Sequence, residues 1–189
     1  MNYRLLIQYD GTEYSGWQIQ NGAVSIQQRI TDAIELLIKE KINLIGSGRT
    51  DTGVHAVGQT ANFKTEQNLE ISKFQYSLNS ILPKDISVSN ITIADESFHS
   101  RFDAKSRAYL YFITTGKSPF YHKYSYELRW FQEADISKLN NLSKTMIGKH
   151  DFSSFAKKKD EIKNKFCEVY EIHWHKGNHI SCFYIKADR

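Results

Sequence analysis

The chain has 189 residues, 40% of them hydrophobic and 13% aromatic, and a formal net charge of +4. This composition excludes intrinsic disorder and is enough for one large or two small domains with a real core. No apolar run approaches the roughly 20 residues of a membrane span, so a soluble protein without membrane contact is expected.

In chain order, Tyr3, Leu5, Ile7 and Tyr9 alternate with polar positions as a strand does. The pattern begins at once and leaves no room for a signal peptide, so a cytoplasmic location is expected. Ser25-x-x-Gln28 reads as a capping box opening a helix whose Ile26, Ile30, Ala33 and Leu37 share one face. A strand over 42–46 leads into a glycine-rich loop, and a strand over 58–64 leaves it. A helix over 71–82 stops at Pro83, and a strand over 86–93 closes a βαββαβ unit. That order is the ferredoxin-like one, an antiparallel sheet with two helices on one face.

The rest of the chain begins to repeat it. A strand over 107–115 precedes a helix over 135–146, with Ile136, Leu139, Leu142 and Met146 on one face. A short extended stretch over 152–155 follows. Strands over 166–175 and 179–187 then flank the turn Lys176-Gly177-Asn178. The expected class is α+β, in two halves, 1–104 and 105–189, the second incomplete.

Charge separates the halves. Residues 1–100 carry 8 Lys+Arg against 11 Asp+Glu, or −3; residues 101–189 carry 17 against 10, or +7. Lys157-Lys158-Lys159 with Lys163 and Lys165 forms a basic cluster that is either a solvated face or a phosphate-contacting patch. Cys167 and Cys182 lie in apolar strand patterns, are expected to be buried thiols, and are too few for a zinc site. His173-x-His175 with His179 lacks the carboxylate or thiolate company of a metal centre, so no metal is expected.

The glycine-rich loop, Gly46-Ser47-Gly48-Arg49-Thr50-Asp51-Thr52-Gly53-Val54-His55, is the most informative stretch. It sets an arginine and an aspartate two residues apart on a connection between strands, where a rigid base can project a carboxylate into a groove. Alone, Arg49-Thr50-Asp51 reads first as a surface turn with a local ion pair of small energetic worth. As a nucleotide-phosphate loop it lacks Gly-Lys-Ser/Thr and a following helix.

Further motifs accompany the loop. They are Tyr9-Asp10-Gly11-Thr12 with Gly16-Trp17-Gln18, Asn79 with Leu82-Pro83-x-Asp85-Ile86, Phe98-His99-Ser100-Arg101-Phe102 with Arg107-Ala108-Tyr109-Leu110-Tyr111, and Gly148-x-His150-Asp151-Phe152. In this order they resemble the tRNA pseudouridine synthase A family over essentially the whole chain. The resemblance implies the pseudouridine synthase fold, two ferredoxin-like halves forming a continuous, mainly antiparallel sheet. It also implies isomerisation of uridine to pseudouridine at positions 38 to 40 of the anticodon arm of tRNA, by a homodimer that needs no cofactor.

By that resemblance Asp51 matches the nucleophile. Attack at C1′, attack at C6 and removal of the C2′ proton are all within reach of a carboxylate. Arg49 matches the arginine that displaces the target base, and Tyr109 the tyrosine that packs on the uracil ring. Arg101 and Arg107 are candidate phosphate contacts, Arg107 equally a brace, and His55 and Gln59 are expected to shape the loop. The family continues with a Phe-Leu-x-x-Met-Val-Arg segment, whose arginine pairs with the catalytic aspartate, and then a helix. This sequence stops at Arg189 before either, so the alternative is a catalytically incomplete RNA-binding fragment.

Overall fold

A computed structural model describes residues 1–155 and 165–188. The chain divides into two compact units, Met1–Ala104 and Lys105–Arg189. Strand pairing forms a four-stranded sheet in the first and a five-stranded sheet in the second.

The first unit runs β1 (Asn2–Tyr9), α1 (Ile26–Ile38), β2 (Ile45–Gly46), β3 (Ala56–Lys64), α2 (Ile71–Ile81) and β4 (Ile86–Ala94). The sheet order is β2-β3-β1-β4, with every pair antiparallel, which is the βαββαβ arrangement expected. Alternation in β1 buries Tyr3, Leu5, Ile7 and Tyr9 and exposes Arg4, Leu6 and Gln8. Over the buried face close Ile26, Ile30, Ala33, Ile34 and Ile38 of α1, with Phe74 and Leu78 of α2. Only half of the expected capping box forms. Ser25 Oγ accepts the Gln28 N–H at 3.2 Å, but the Gln28 side chain turns to Asp32 instead. The strand expected over 42–46 pairs with β3 only at Ile45 and Gly46.

The second unit runs β5 (Arg107–Thr114), β6 (Ser125–Glu127), α3 (Ile136–Lys144), β7 (Gly148–Asp151), β8 (Phe166–His175) and β9 (Ser181–Ala187). The order is β6-β5-β9-β8-β7, antiparallel except for β5 with β6. Here β9 lies between β5 and β8 as β3 lies between β1 and β2, so β5, α3, β8 and β9 retrace the start of the first unit.

Three local expectations are corrected in this unit. Ser153–Phe155 is a 3-10 turn and not an extended stretch. Asp151 Oδ1 accepts the Ser153 N–H at 2.9 Å, and the Ser153 hydrogen bonds hold this carboxyl below the usual carboxylate range. Leu142 of α3 is 67% exposed. The helix instead turns Asn140 and Ser143 toward Trp174: Asn140 brackets the Trp174 backbone at 3.0 and 2.8 Å, and the indole N–H donates to Ser143 Oγ at 3.0 Å. Among the described residues, Cys167 and Cys182 are not joined in a disulfide, and both are only half-buried. The lysines at 157–159 and 163 lie outside the described residues. Among the described residues, no helix is long and apolar enough to cross a membrane.

Candidate active site

The motif loop spans the connection from β2 to β3, and its bed is the segment that follows β1. Backbone groups join the two. Trp17 N–H donates to Thr50 O at 3.1 Å, and Gly53 N–H donates to Tyr14 O at 3.3 Å. The approach is close enough to dictate residue type. A Cβ on Gly11 would stand 2.1 Å from Val54 O, and one on Gly16 2.3 Å from Thr50 O, with Gly16 also at φ +85°. Trp17 is buried against Gly46, where an added Cβ would meet the indole at 2.6 Å. This tryptophan therefore anchors the bed to the loop by steric fit.

Side chains complete the clamp. The Tyr9 hydroxyl lies 3.0 Å from Thr50 Oγ1. Tyr14 donates to Asp85 Oδ1 at 2.8 Å, and Asp10 N–H donates to Asp85 O at 2.9 Å, so the Pro83-x-Asp85 motif braces the bed from below. Burial, and then the Asp85 carboxylate, push the Tyr14 phenol well above its ordinary value. His55 Nδ1 accepts the Gly11 N–H at 3.1 Å and also lies 3.0 Å from Asp10 Oδ1. One nitrogen serves one of these partners at a time, and the ring's proton decides which. Gln59 donates to Gly48 O at 2.7 Å.

Arg49 and Asp51 both emerge from this clamp exposed, on either side of the half-buried Thr50. Among the described residues, no ion pair joins them within 4.0 Å. The surface-turn reading of Arg49-Thr50-Asp51 loses its ion pair, and the carboxylate stays open to a ligand. Val54 N–H donates to Asp51 O at 3.2 Å, and Gly53 at φ +77° completes the turn below it.

Arg101 belongs to the same unit. A buried polar pair holds its segment on the sheet. Asn62 donates to Asn2 Oδ1 at 3.0 Å and accepts the Ser100 N–H at 2.9 Å, while Asn2 donates to the carbonyls of Asp95 and Phe98. The Arg101 guanidinium lies 5.8 Å over the exposed Phe102 ring, and His99 stacks on that ring at 4.3 Å. The arrangement offers a charged aromatic surface to a base or a phosphate. Asn79, the other polar motif residue, brackets Val88 at 2.8 and 2.9 Å and ties α2 to β4.

Tyr109 and Arg107 belong to the second unit. Tyr109 stands on β5 opposite Ile185 and is 42% exposed. Arg107 stands opposite Ala187 and reaches Asp188 O at 3.4 Å, a bracing contact at the end of β9. His173 stacks on Tyr184 at 5.0 Å, with Nδ1 3.6 Å from Glu171. Tyr9, Tyr14, Asn2 and Asn62 escaped the sequence reading as site residues. Their partners lie 38 to 96 residues away; Tyr9 opens one of the quoted motifs and Tyr14 lies between its two parts, but neither carried a role there.

Comparison with known proteins matches this arrangement to one family. The family model described as tRNA pseudouridine synthase matches residues 5–103 and 142–189, including the whole clamp. The tRNA pseudouridine synthase A of Pelodictyon phaeoclathratiforme is 40% identical over 189 residues, covering 100% of this chain and 77% of that protein. That of Clostridium kluyveri is 41% identical over 187 residues, 99% and 77% of the two chains. That of Bacillus subtilis is 38% identical over 176 residues, 92% and 71%. With the loop, its bed and the matching relatives in agreement, the chain belongs to the tRNA pseudouridine synthase family, a family of isomerases.

Proposed function

We propose that this chain isomerises uridine to pseudouridine in the anticodon stem-loop of tRNA, at positions 38 to 40, with Asp51 as the reacting carboxylate. The observation that carries the reading is the exposed Asp51 on a loop whose backbone is clamped from beneath, with no ion pair to Arg49. A fixed, uncommitted carboxylate can act on the sugar or the base, and no reorganisation of the loop is needed first. Arg49 occupies the space left by the extruded uridine, and its planar guanidinium forks to a phosphate or stacks in the helix. Tyr109 stacks on the uracil, where an aromatic contact worth about 1–3 kcal/mol offsets part of the cost of unstacking. Arg101 and Arg107 contact the RNA backbone, so recognition proceeds largely by shape. The working form is a cytoplasmic homodimer.

Tritium release from C5-labelled uridine in unmodified tRNA tests the reading, because C5 loses its hydrogen only when the new C1′–C5 bond forms. Asp51→Asn, nearly isosteric, is expected to abolish release and to leave tRNA affinity within about threefold. Release by Asp51→Asn would remove the aspartate from its role. A second reading, RNA binding without turnover, draws on the exposed Tyr109, Leu110 and Tyr111 of β5. It predicts tRNA binding by the wild-type chain with no release at all.

A further inference from the structure

We propose that Tyr9 is a positioning residue for the isomerisation, its phenol locking Thr50 so that Arg49 and Asp51 leave the loop in fixed directions. This rests on the reading of Asp51 given above. Tyr9 is 4% exposed, at the end of β1. The register of β1 against β3 shifts between Ile7 and Tyr9, so that Tyr9 pairs with Ala56, the residue next to His55. The extra residue lies on β3, which draws the end of the motif loop in beside the end of β1. Tyr9 keeps the buried face of β1, and its phenol meets Thr50 Oγ1 there at 3.0 Å. The Tyr9 ring packs near Trp17, centroids 6.1 Å apart, and Trp17 is the residue whose backbone N–H holds Thr50 O.

Thr50 is thus held twice, at Oγ1 by Tyr9 and at its carbonyl by Trp17. Threonine is stiff at χ1, so fixing Oγ1 fixes the side chain and resists rotation of the backbone that bears it. The carbonyl bond fixes the peptide that leads directly into Asp51. The neighbours on both sides are exposed, and the one backbone bond at Asp51, its carbonyl to the Val54 N–H, closes the turn that follows and leaves the side chain to take its direction from Thr50. The hydroxyl of the buried Tyr9 is engaged with the half-buried Thr50, which makes it a support for the reacting group. A misplacement of about 1 Å at a reacting group costs up to about 100-fold in rate, so a single hydroxyl at this point is worth a measurable factor.

The test compares wild type, Tyr9→Phe, Thr50→Val and the double variant by two readouts. The first is tritium release with kcat and KM separated. The second is the backbone order parameters of residues 49–53 from amide relaxation, which needs no turnover. Either single variant is expected to lower kcat about 10- to 100-fold with KM and tRNA affinity within about twofold. The double variant is expected to be no worse than the singles, since both remove the same bond. Order parameters at 49–53 are expected to fall from about 0.85 toward 0.6 or below, while the amide signals of the rest of the first unit keep their wild-type dispersion and its melting point falls by only a few degrees. Unchanged order parameters in Tyr9→Phe overturn the proposal whatever the activity. A fall in order without a fall in kcat, in a chain that turns over, overturns it as well. Asp51→Asn run alongside separates the two readings: turnover by that variant defeats the Asp51 assignment, whereas the order parameters still judge Tyr9. If no variant turns over, they decide alone.

Discussion

The two units share a three-strand order, β2-β3-β1 in the first and β8-β9-β5 in the second, but differ in how they bury it. In the first, one apolar cluster runs from Tyr3 to Ile91, and Tyr9, Tyr14 and Trp17 carry it up beneath the motif loop. In the second, the buried cluster among the described residues is Val169, Ile172 and Ala187, with Phe183, Ile185 and Met146 partly packed on it. Tyr109, Leu110 and Tyr111 of β5 remain 42 to 60% exposed. A carboxylate that must keep its direction stands on the well-packed unit. Aromatic groups able to stack on a ligand stand on the thinly covered one. Precision in placing a group comes from packing, whereas contact area comes from leaving apolar surface open.

Breaking the clamp should have the largest effect. Gly16→Ala puts a Cβ into the Thr50 carbonyl and forces a β-carbon onto a positive φ. A loss of at least about 3 kcal/mol in urea unfolding followed by the amide signals of the first unit is expected, together with loss of tritium release. The same probe should hardly respond to changes in the second unit.

Tyr14→Phe should act on the same unit more gently, by about 1.5–3 kcal/mol at neutral pH, because it removes a hydrogen bond to a carboxylate. Its pH dependence carries a definite sign. The folded phenol titrates above its unfolded value, so the native state holds its proton longer than the unfolded state does. That contribution is fully present below about pH 10 and is lost as pH rises beyond it toward the folded value. Wild type should therefore lose stability above about pH 10 more steeply than Tyr14→Phe. Denaturation midpoints of the two proteins at pH 8 and pH 10.5 would show whether they converge; parallel curves would contradict the shift.

Tyr111→Ser, in the second unit, should change stability least, by under about 0.5 kcal/mol, since the side chain is 60% exposed. It should reduce binding of a hydrophobic fluorescent dye, which reports open apolar surface. A cost of more than about 2 kcal/mol would mean that the face is packed, and the contrast between the units would fail.

Much of this was legible from residue order. Alternation in Tyr3, Leu5, Ile7 and Tyr9, the spacing of Ile26, Ile30 and Ala33, and the stop at Pro83 are local patterns, and each marks an element the structure contains. The helix face in the second unit was misread because Leu142 fits an apolar period, while Asn140 and Ser143, which fit none, supply hydrogen bonds to Trp174. The short extended stretch expected over 152–155 gave way to a turn that Asp151 caps through Ser153. Short polar side chains that bond to nearby backbone leave little trace in hydropathy.

Periodicity and motif order were therefore enough to name the class, the family and the loop that bears Arg49 and Asp51, because helix and strand preferences act over a few residues. The supports of that loop became visible only in three dimensions. Tyr9 meets Thr50 across 41 positions, Tyr14 meets Asp85 across 71, and Ser100 meets Asn62 across 38. Folding brings these groups within hydrogen-bond range, and no short-range pattern in a chain encodes which distant partner a buried hydroxyl or amide will find.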